Sequence, residues 1–197
     1  MQTLEASEAS IAFAIEILNL GGVVAHATET CYGLACDMTN SEAVEKLFNI
    51  KNRPDDQPVS ALFPSIKASS IWVEWTEKAL ALAKKEFPGP LTIILPIKPN
   101  KTIYPIPKTE PENRNPTLGI RISPHPIALE LAKQFSKPLS TTSANLTGQP
   151  SAYSVEEIEK QLADNPPDLV IDSGMLEKKS PSKVVMFIDG EVTVIRN

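Results

Sequence analysis

"KPLSTTSANLTGQP", residues 137–150, sets one apolar residue, Leu139, against four consecutive hydroxyls, Ser140 to Ser143, and then a turn. Leucine and β-branched threonine read as a strand, and Asn145 with Thr147-Gly148-Gln149-Pro150 reads as the stop. Alternate side chains of a strand share a face. Thr141 and Ser143 therefore point one way, Ser140 and Thr142 the other. Neutral hydroxyls and an amide can hold phosphate oxygens and sugar groups without adding charge. The rival idea, a nucleophilic serine, requires a base beside it, and no Gly-x-Ser-x-Gly elbow surrounds Ser143.

Outward from this strand the chain mostly alternates. Residues 7–19 place Ile11, Ala14, Ile15 and Leu18 at helical spacing behind Ser7, and Gly21-Gly22 ends the run. Helices are also expected over "SEAVEKLFNIKNR" (capped by Asn40 or Ser41), "TEKALALAKKEF" (stopped by Pro88), "HPIALELAKQFS" and "SVEEIEKQLAD". Strands are expected over "VVAHA", "VSALF", "LTIILPI", "LGIRIS", "DLVIDSG", "SKVVMFI" and "EVTVIR", with a hairpin signal at Asp189-Gly190. This is an α/β pattern. Residues 98–117, rich in Pro, Asn, Lys and Glu, have no periodicity and read either as a lid or as a plain surface loop.

Composition narrows the class. The chain has 197 residues, 42% hydrophobic and 22% charged, which suits one domain with its own core. No apolar run reaches the ~20 residues of a membrane span, and "MQTLEASEASIAFAIEILNL" has no positive leader region. Cys31 and Cys36 lack zinc-ribbon spacing and read as thiols in a reducing cytoplasm. A net charge of −5 argues against a free-standing nucleic-acid binder.

Four further segments carry polar chemistry. In "KNRP", Lys51 and Arg53 flank one residue, and Pro54 biases Arg53 away from helix. Two cations at a loop mouth suit a polyphosphate or carboxylate, although cations at a helix C-terminus also satisfy the macrodipole. In "HATETCYGLACD", Thr28 and Thr30 flank Glu29, and Tyr32-Gly33 follow. Small hydroxyls and a glycine suit a small polar ligand close to backbone. His26 could be a base there or a structural residue. Thr92, after Pro88-Gly89-Pro90, starts a buried strand and faces either core or ligand. Arg121 lies between Ile120 and Ile122, and a buried charge requires a partner. It either pairs with an internal carboxylate such as Glu29 or grips an anionic ligand. No Walker loop and no Gly-x-Gly-x-x-Gly occurs, so any nucleotide would be held by this distributed set.

Taken in order, "TETCYGL…KNRP…FPGPLTIIL…LGIRISPHPIA…PLSTTSANLTGQPS" resembles the YrdC-like family, in particular its short TsaC-type threonylcarbamoyl-AMP synthases. The resemblance covers about residues 10–190 and is most specific in pairing Lys51-x-Arg53 with Ser143-x-Asn145. It implies a single YrdC-like domain over 1–197, a twisted mixed sheet flanked by helices with a deep basic cleft, and no second domain. It also implies a cytoplasmic enzyme joining L-threonine, bicarbonate or CO2, and ATP into threonylcarbamoyl-AMP and pyrophosphate. The product would serve N6-threonylcarbamoyladenosine formation in tRNA through downstream transferase proteins, with tRNA itself bound weakly or indirectly. Carried over, Lys51 and Arg53 are catalytic. ATP would meet Lys51, Arg53, Gln57, Thr117, Ser143, Asn145, Ser151, Ser182 and Arg196. Threonine would meet Thr28, Thr30, Tyr32, Arg121 and Thr141. Mg2+ would come with the ATP phosphates, without protein side-chain ligands. The chain departs from the family pattern at His26-Ala27, Leu62 and Lys183. Rival readings are a non-catalytic RNA-binding module of the same family and a paralogue with another carbamoyl or nucleotide substrate.

Overall fold

The computed structural model describes residues 1–54, 57–105, 116–188 and 191–197. Its chain runs β1 (Gln2–Glu5), α1 (Glu8–Asn19), β2 (Val24–Ala27), β3 (Tyr32–Ala35), α2 (Ser41–Lys51), β4 (Ser60–Leu62), α3 (Ile66–Ser69) and α4 (Glu77–Glu86). It continues through β5 (Leu91–Pro96), β6 (Thr117–Arg121), α5 (Pro126–Phe135), β7 (Leu139–Ser143), α6 (Val155–Leu162), β8 (Leu169–Asp172), β9 (Lys183–Ile188) and β10 (Glu191–Arg196). Ten strands form one mixed sheet in the order β1-β8-β2-β3-β7-β4-β6-β5-β9-β10.

Local chemistry explains the boundaries. Ser7 caps α1 reciprocally with Ser10, and Gly21, at φ +80, turns the chain out of the helix. Asn40, Ser65, Thr76 and Ser154 cap α2, α3, α4 and α6 through their side chains. Asn52 adopts a left-handed conformation, φ 47, and stops α2 one residue after Lys51. All the helices and strands expected from periodicity form. Three more appear: β1, β3 and the single turn α3. β1 is a short polar edge strand, and β3 carries Gly33 in its interior, so neither has a strong strand pattern. The expected Asp189-Gly190 turn lies outside the described residues, although the strands on either side pair antiparallel as a hairpin requires. Residues 106–115 of the 98–117 segment also lie outside them.

Two apolar layers sandwich the sheet. On one face α1 and α5 contribute Ile11, Ala14, Leu18, Leu131 and Phe135 and pack on Val24, Ala35, Leu62, Leu139, Leu169 and Ile171. On the other, α2, α4 and α6 pack on Ala25, Leu34, Ala61, Ile93, Ile120 and Val170. Consecutive strand residues alternate between the layers, as the pleat demands. Both faces being covered, β2 and β3 are buried at every position.

The functional opening follows from the same alternation. Along the α1/α5 face, two residues beyond Ala35 is Gly33, two beyond Leu139 is Thr141, then Ser143, and two before Leu62 is Ser60. Past the reach of α1 and α5, the same strands thus change from apolar to hydroxyl or glycine. There the sheet face is open, and a cavity of about 340 Å3 sits on it.

Candidate active site

The cavity floor is a cross-strand array. Gly33 pairs with Ser143, Ser60 with Thr141, and Thr92 with Val184, and all six line the cavity. Gly119 lets this floor close up: a Cβ there would lie 2.6 Å from Ser60 Oγ and 3.0 Å from Thr92 Cγ2.

One wall is the turn between β2 and β3. The Thr28 hydroxyl donates to the Cys31 carbonyl at 2.7 Å and accepts from the Thr30 backbone N–H at 3.2 Å. With its proton so placed, it takes the Thr30 hydroxyl as a donor at 3.1 Å. Between them Glu29 turns to the sheet. Its carboxylate pairs with the Arg121 guanidinium and accepts the Ser123 hydroxyl. The buried arginine therefore has an internal carboxylate and also faces the cavity, with its Nε left without a partner. The two sequence readings of Arg121 are compatible: Glu29 holds it, and its side chain still lines the cavity.

The opposite wall is built by two distant segments. Lys51 is 2% exposed. Its ammonium donates to Ser143 O at 2.5 Å, Asn145 O at 2.9 Å and Asn145 Oδ1 at 3.2 Å. The Thr147 N–H returns to Lys51 O at 2.9 Å. Burial first, then the Arg53 charge, lowers the Lys51 pKa to about 8. Lys51 thus does not stand at the loop mouth as its spacing to Arg53 suggested. The left-handed Asn52 separates the two cations, leaving Lys51 as a clamp behind the wall and sending Arg53 into the cavity. Arg53 donates to the carbonyls of Pro58 at 2.8 Å and Gln57 at 3.3 Å.

At the far end Ser182 and Thr92 hydroxyls meet at 3.2 Å, and Arg196 donates to Ser182 O at 2.9 Å and Ser182 Oγ at 3.1 Å. The lining holds four cations, Arg53, Arg121, Lys179 and Arg196, and no carboxylate among the described residues. Such a wall favours anions.

Of the residues expected in the site, Thr28, Thr30, Arg53, Arg121, Thr141, Ser143, Ser151, Ser182 and Arg196 line this one cavity. Lys51 and Asn145 lie directly behind it. Tyr32 does not reach it: the ring is in the core, and the hydroxyl donates to Gly174 O and accepts from Ser173 N, each at 2.8 Å. Gln57 is exposed and contributes its carbonyl to Arg53, and Thr117 is half-buried away from the lining. Sequence reasoning passed over Lys179, Cys31 and Ser60 as site residues. Alternation back from Leu62 would have found Ser60, whereas Lys179 sits in a stretch without periodicity. His26 is fully buried outside the lining, its Nδ1 3.1 Å from Ala27 O, and burial lowers its pKa to about 4. No base is assigned to it.

Comparison with known proteins accords with this geometry. The Sua5/YciO/YrdC family model, described as "Telomere recombination", matches residues 16–197. A threonylcarbamoyl-AMP synthase of Klebsiella pneumoniae is 30% identical over 188 residues, 93% of this chain and 94% of that one. One from Vibrio campbellii is 33% identical over 157 residues, 76% and 80% of the two chains. Among solved structures, P. abyssi Sua5 complexed with L-threonine superposes with a TM-score of 0.85 at 28% identity. That match covers 99% of this chain but 56% of the other. E. coli YciO gives a TM-score of 0.83 at 28% identity, over 99% and 92% of the two chains. The family model over most of the chain and the relatives 30% and 33% identical to it lead to one conclusion: this chain belongs to the Sua5/YciO/YrdC family.

Proposed function

We propose that this protein is an L-threonylcarbamoyladenylate synthase, an enzyme that makes threonylcarbamoyl-AMP and pyrophosphate from L-threonine, bicarbonate or CO2, and ATP. The observation that carries the reading is the clamp from Lys51 to Ser143 and Asn145. It brings Arg53 and Ser143 into the same cavity as Arg121, Thr30 and Thr141. An anion-binding wall and an amino-acid-sized polar corner thus share one enclosure. The relatives named as threonylcarbamoyl-AMP synthases, 30% and 33% identical, support the choice of substrates.

The chemistry assigned to each group follows from its surroundings. The threonine carboxylate belongs beside the Arg121 guanidinium, and its hydroxyl and amine beside Thr28, Thr30 and Thr141. The neutral amine attacks CO2 and releases a proton, giving a carbamate. A carbamate oxygen then attacks the α-phosphorus in line as the bond to pyrophosphate breaks. No protein side chain becomes covalent. Negative charge grows toward the leaving pyrophosphate, where Arg53, Ser182 and Arg196 stand already oriented by protein carbonyls and hydroxyls. Charge stabilisation by groups fixed beforehand is commonly the largest catalytic term. Lys51 acts by holding the Ser143–Asn145 loop against the nucleotide. Magnesium enters as part of the substrate, Mg–ATP.

The labile adenylate would pass to a tRNA-modifying transferase in the cytoplasm, and tRNA contact by this chain would be weak or indirect. No helix among the described residues is long and apolar enough to cross a membrane. The likeness to YciO favours a second reading, a paralogue with another carbamoyl or nucleotide substrate. Incubation with ATP, bicarbonate and each amino acid in turn, followed by mass spectrometry, decides between them. The expected adduct carries threonine, carbonyl and AMP. An adduct with a different amino acid, or none, removes the assignment.

A further inference from the structure

One cation of the cavity stands apart from the other three. Arg121 is held by Glu29, Arg53 by two backbone carbonyls and Arg196 by Ser182. Lys179 instead meets only Glu177, at 3.3 Å among the described residues, with the two side chains 54% and 79% exposed. It lies on a strap that contributes Lys179, Pro181 and Ser182 to the cavity lining. The strap is tied at one end by Ser173 and Gly174 to the Tyr32 hydroxyl and by the Leu176 N–H to Tyr153 O. At the other end Ser182 joins Thr92 and Arg196, and the Lys183 N–H donates to Pro90 O. Between these ties, Glu177–Pro181 are exposed and belong to no helix or strand. The adjacent Lys178 turns onto the Tyr153 ring, 5.7 Å from its centroid, while Lys179 lines the cavity together with Pro181 and Ser182.

We propose that Lys179 is a specificity-determining contact for the polyphosphate of the nucleotide, and that Glu177 is its built-in stand-in anion. The inference rests on the ATP reading above. The physical basis is an exchange. An exposed Lys–Glu pair contributes little to stability, so releasing it costs little. A triphosphate or pyrophosphate carries several charges and lies in an enclosure already lined by Arg53 and Arg196, so it is the stronger partner. Because the strap is tied at both ends, rotation of one lysine side chain suffices for the exchange. Removing either member of the pair therefore has opposite consequences, which a structural role of the strap would not produce.

Calorimetric titration at low ionic strength with ATP, pyrophosphate and AMP tests this. Lys179→Ala should weaken ATP and pyrophosphate about fivefold, as expected for loss of one partly exposed charge contact, and leave AMP unchanged. Glu177→Gln should tighten ATP and pyrophosphate about twofold. Lys178→Ala, an identical change in net charge, should do neither. ATP affinity unchanged in Lys179→Ala, equal weakening of ATP and AMP, or the same loss in Lys178→Ala would overturn the inference while leaving the enzyme assignment standing. Wild-type protein that binds neither ATP nor pyrophosphate would overturn both.

Discussion

His26 and Arg121 show what burial asks of a single side chain. Both lie on the open sheet face close to the cavity, and both carry a buried nitrogen without a partner. Arg121 pairs with the Glu29 carboxylate, which also accepts the Ser123 hydroxyl. His26 has only the Ala27 carbonyl, and that bond places its proton on Nδ1 and leaves Nε2 a bare acceptor. Burial, and the neighbouring charge of His125, bring its pKa from 6.5 to about 4. Between those values the unfolded chain binds more protons than the folded one, so stability rises with pH across that window. The contribution is complete above about pH 6.5 and is lost as pH falls toward 4, by up to about 3 kcal/mol. Denaturant unfolding of wild type and His26→Gln at pH 7 and pH 4.5 checks it. The variant should lose distinctly less stability on acidification, and parallel losses would show that His26 is not an acid-sensitive group.

At the scale of elements, the cleft exists because β6 and its neighbours close without a side chain at Gly119. Ser60 of β4 and Thr92 of β5 occupy the space a Cβ would take. Gly119→Ala should cost about 1–3 kcal/mol through overpacking, read as a lowered thermal midpoint. Ser60→Gly in the same chain should recover part of it. A midpoint equal to wild type would mean that the floor is looser than these distances indicate. Element placement was largely legible because the helices announce themselves through caps and 3.6-residue spacing, as Ser7 and Ser154 do. β3 was not, because its defining feature is the contact its glycine permits with β7, a pairing absent from local sequence. The strap that carries Lys179 escaped for a related reason: irregular backbone has no period, and only the fold brings it to the cavity.

For the molecule as a whole, the decisive relation is non-local. Lys51 and Ser143 lie 92 residues apart, and their meeting at 2.5 Å fixes where the cation-bearing loop stands relative to the hydroxyl strand. Family resemblance brought both motifs to notice, but residue spacing gave Lys51 the wrong orientation. It predicted a charge at the loop mouth, whereas the structure shows a clamp that closes the wall from behind. Replacement of Lys51 by a residue of similar length without charge should therefore leave the Asn145 carbonyl unpaired, take one of two donors from Ser143 O and Asn145 Oδ1, and release the Ser143–Asn145 loop. The most direct test is threonine-dependent pyrophosphate release by wild type and Lys51→Met, with circular dichroism to verify that the variant folds. The account predicts release by wild type only when threonine and bicarbonate are present, and a fall of at least about 100-fold in folded Lys51→Met, as for loss of a positioned charge network. Wild-type release in the variant, or release by wild type that ignores threonine, would contradict it.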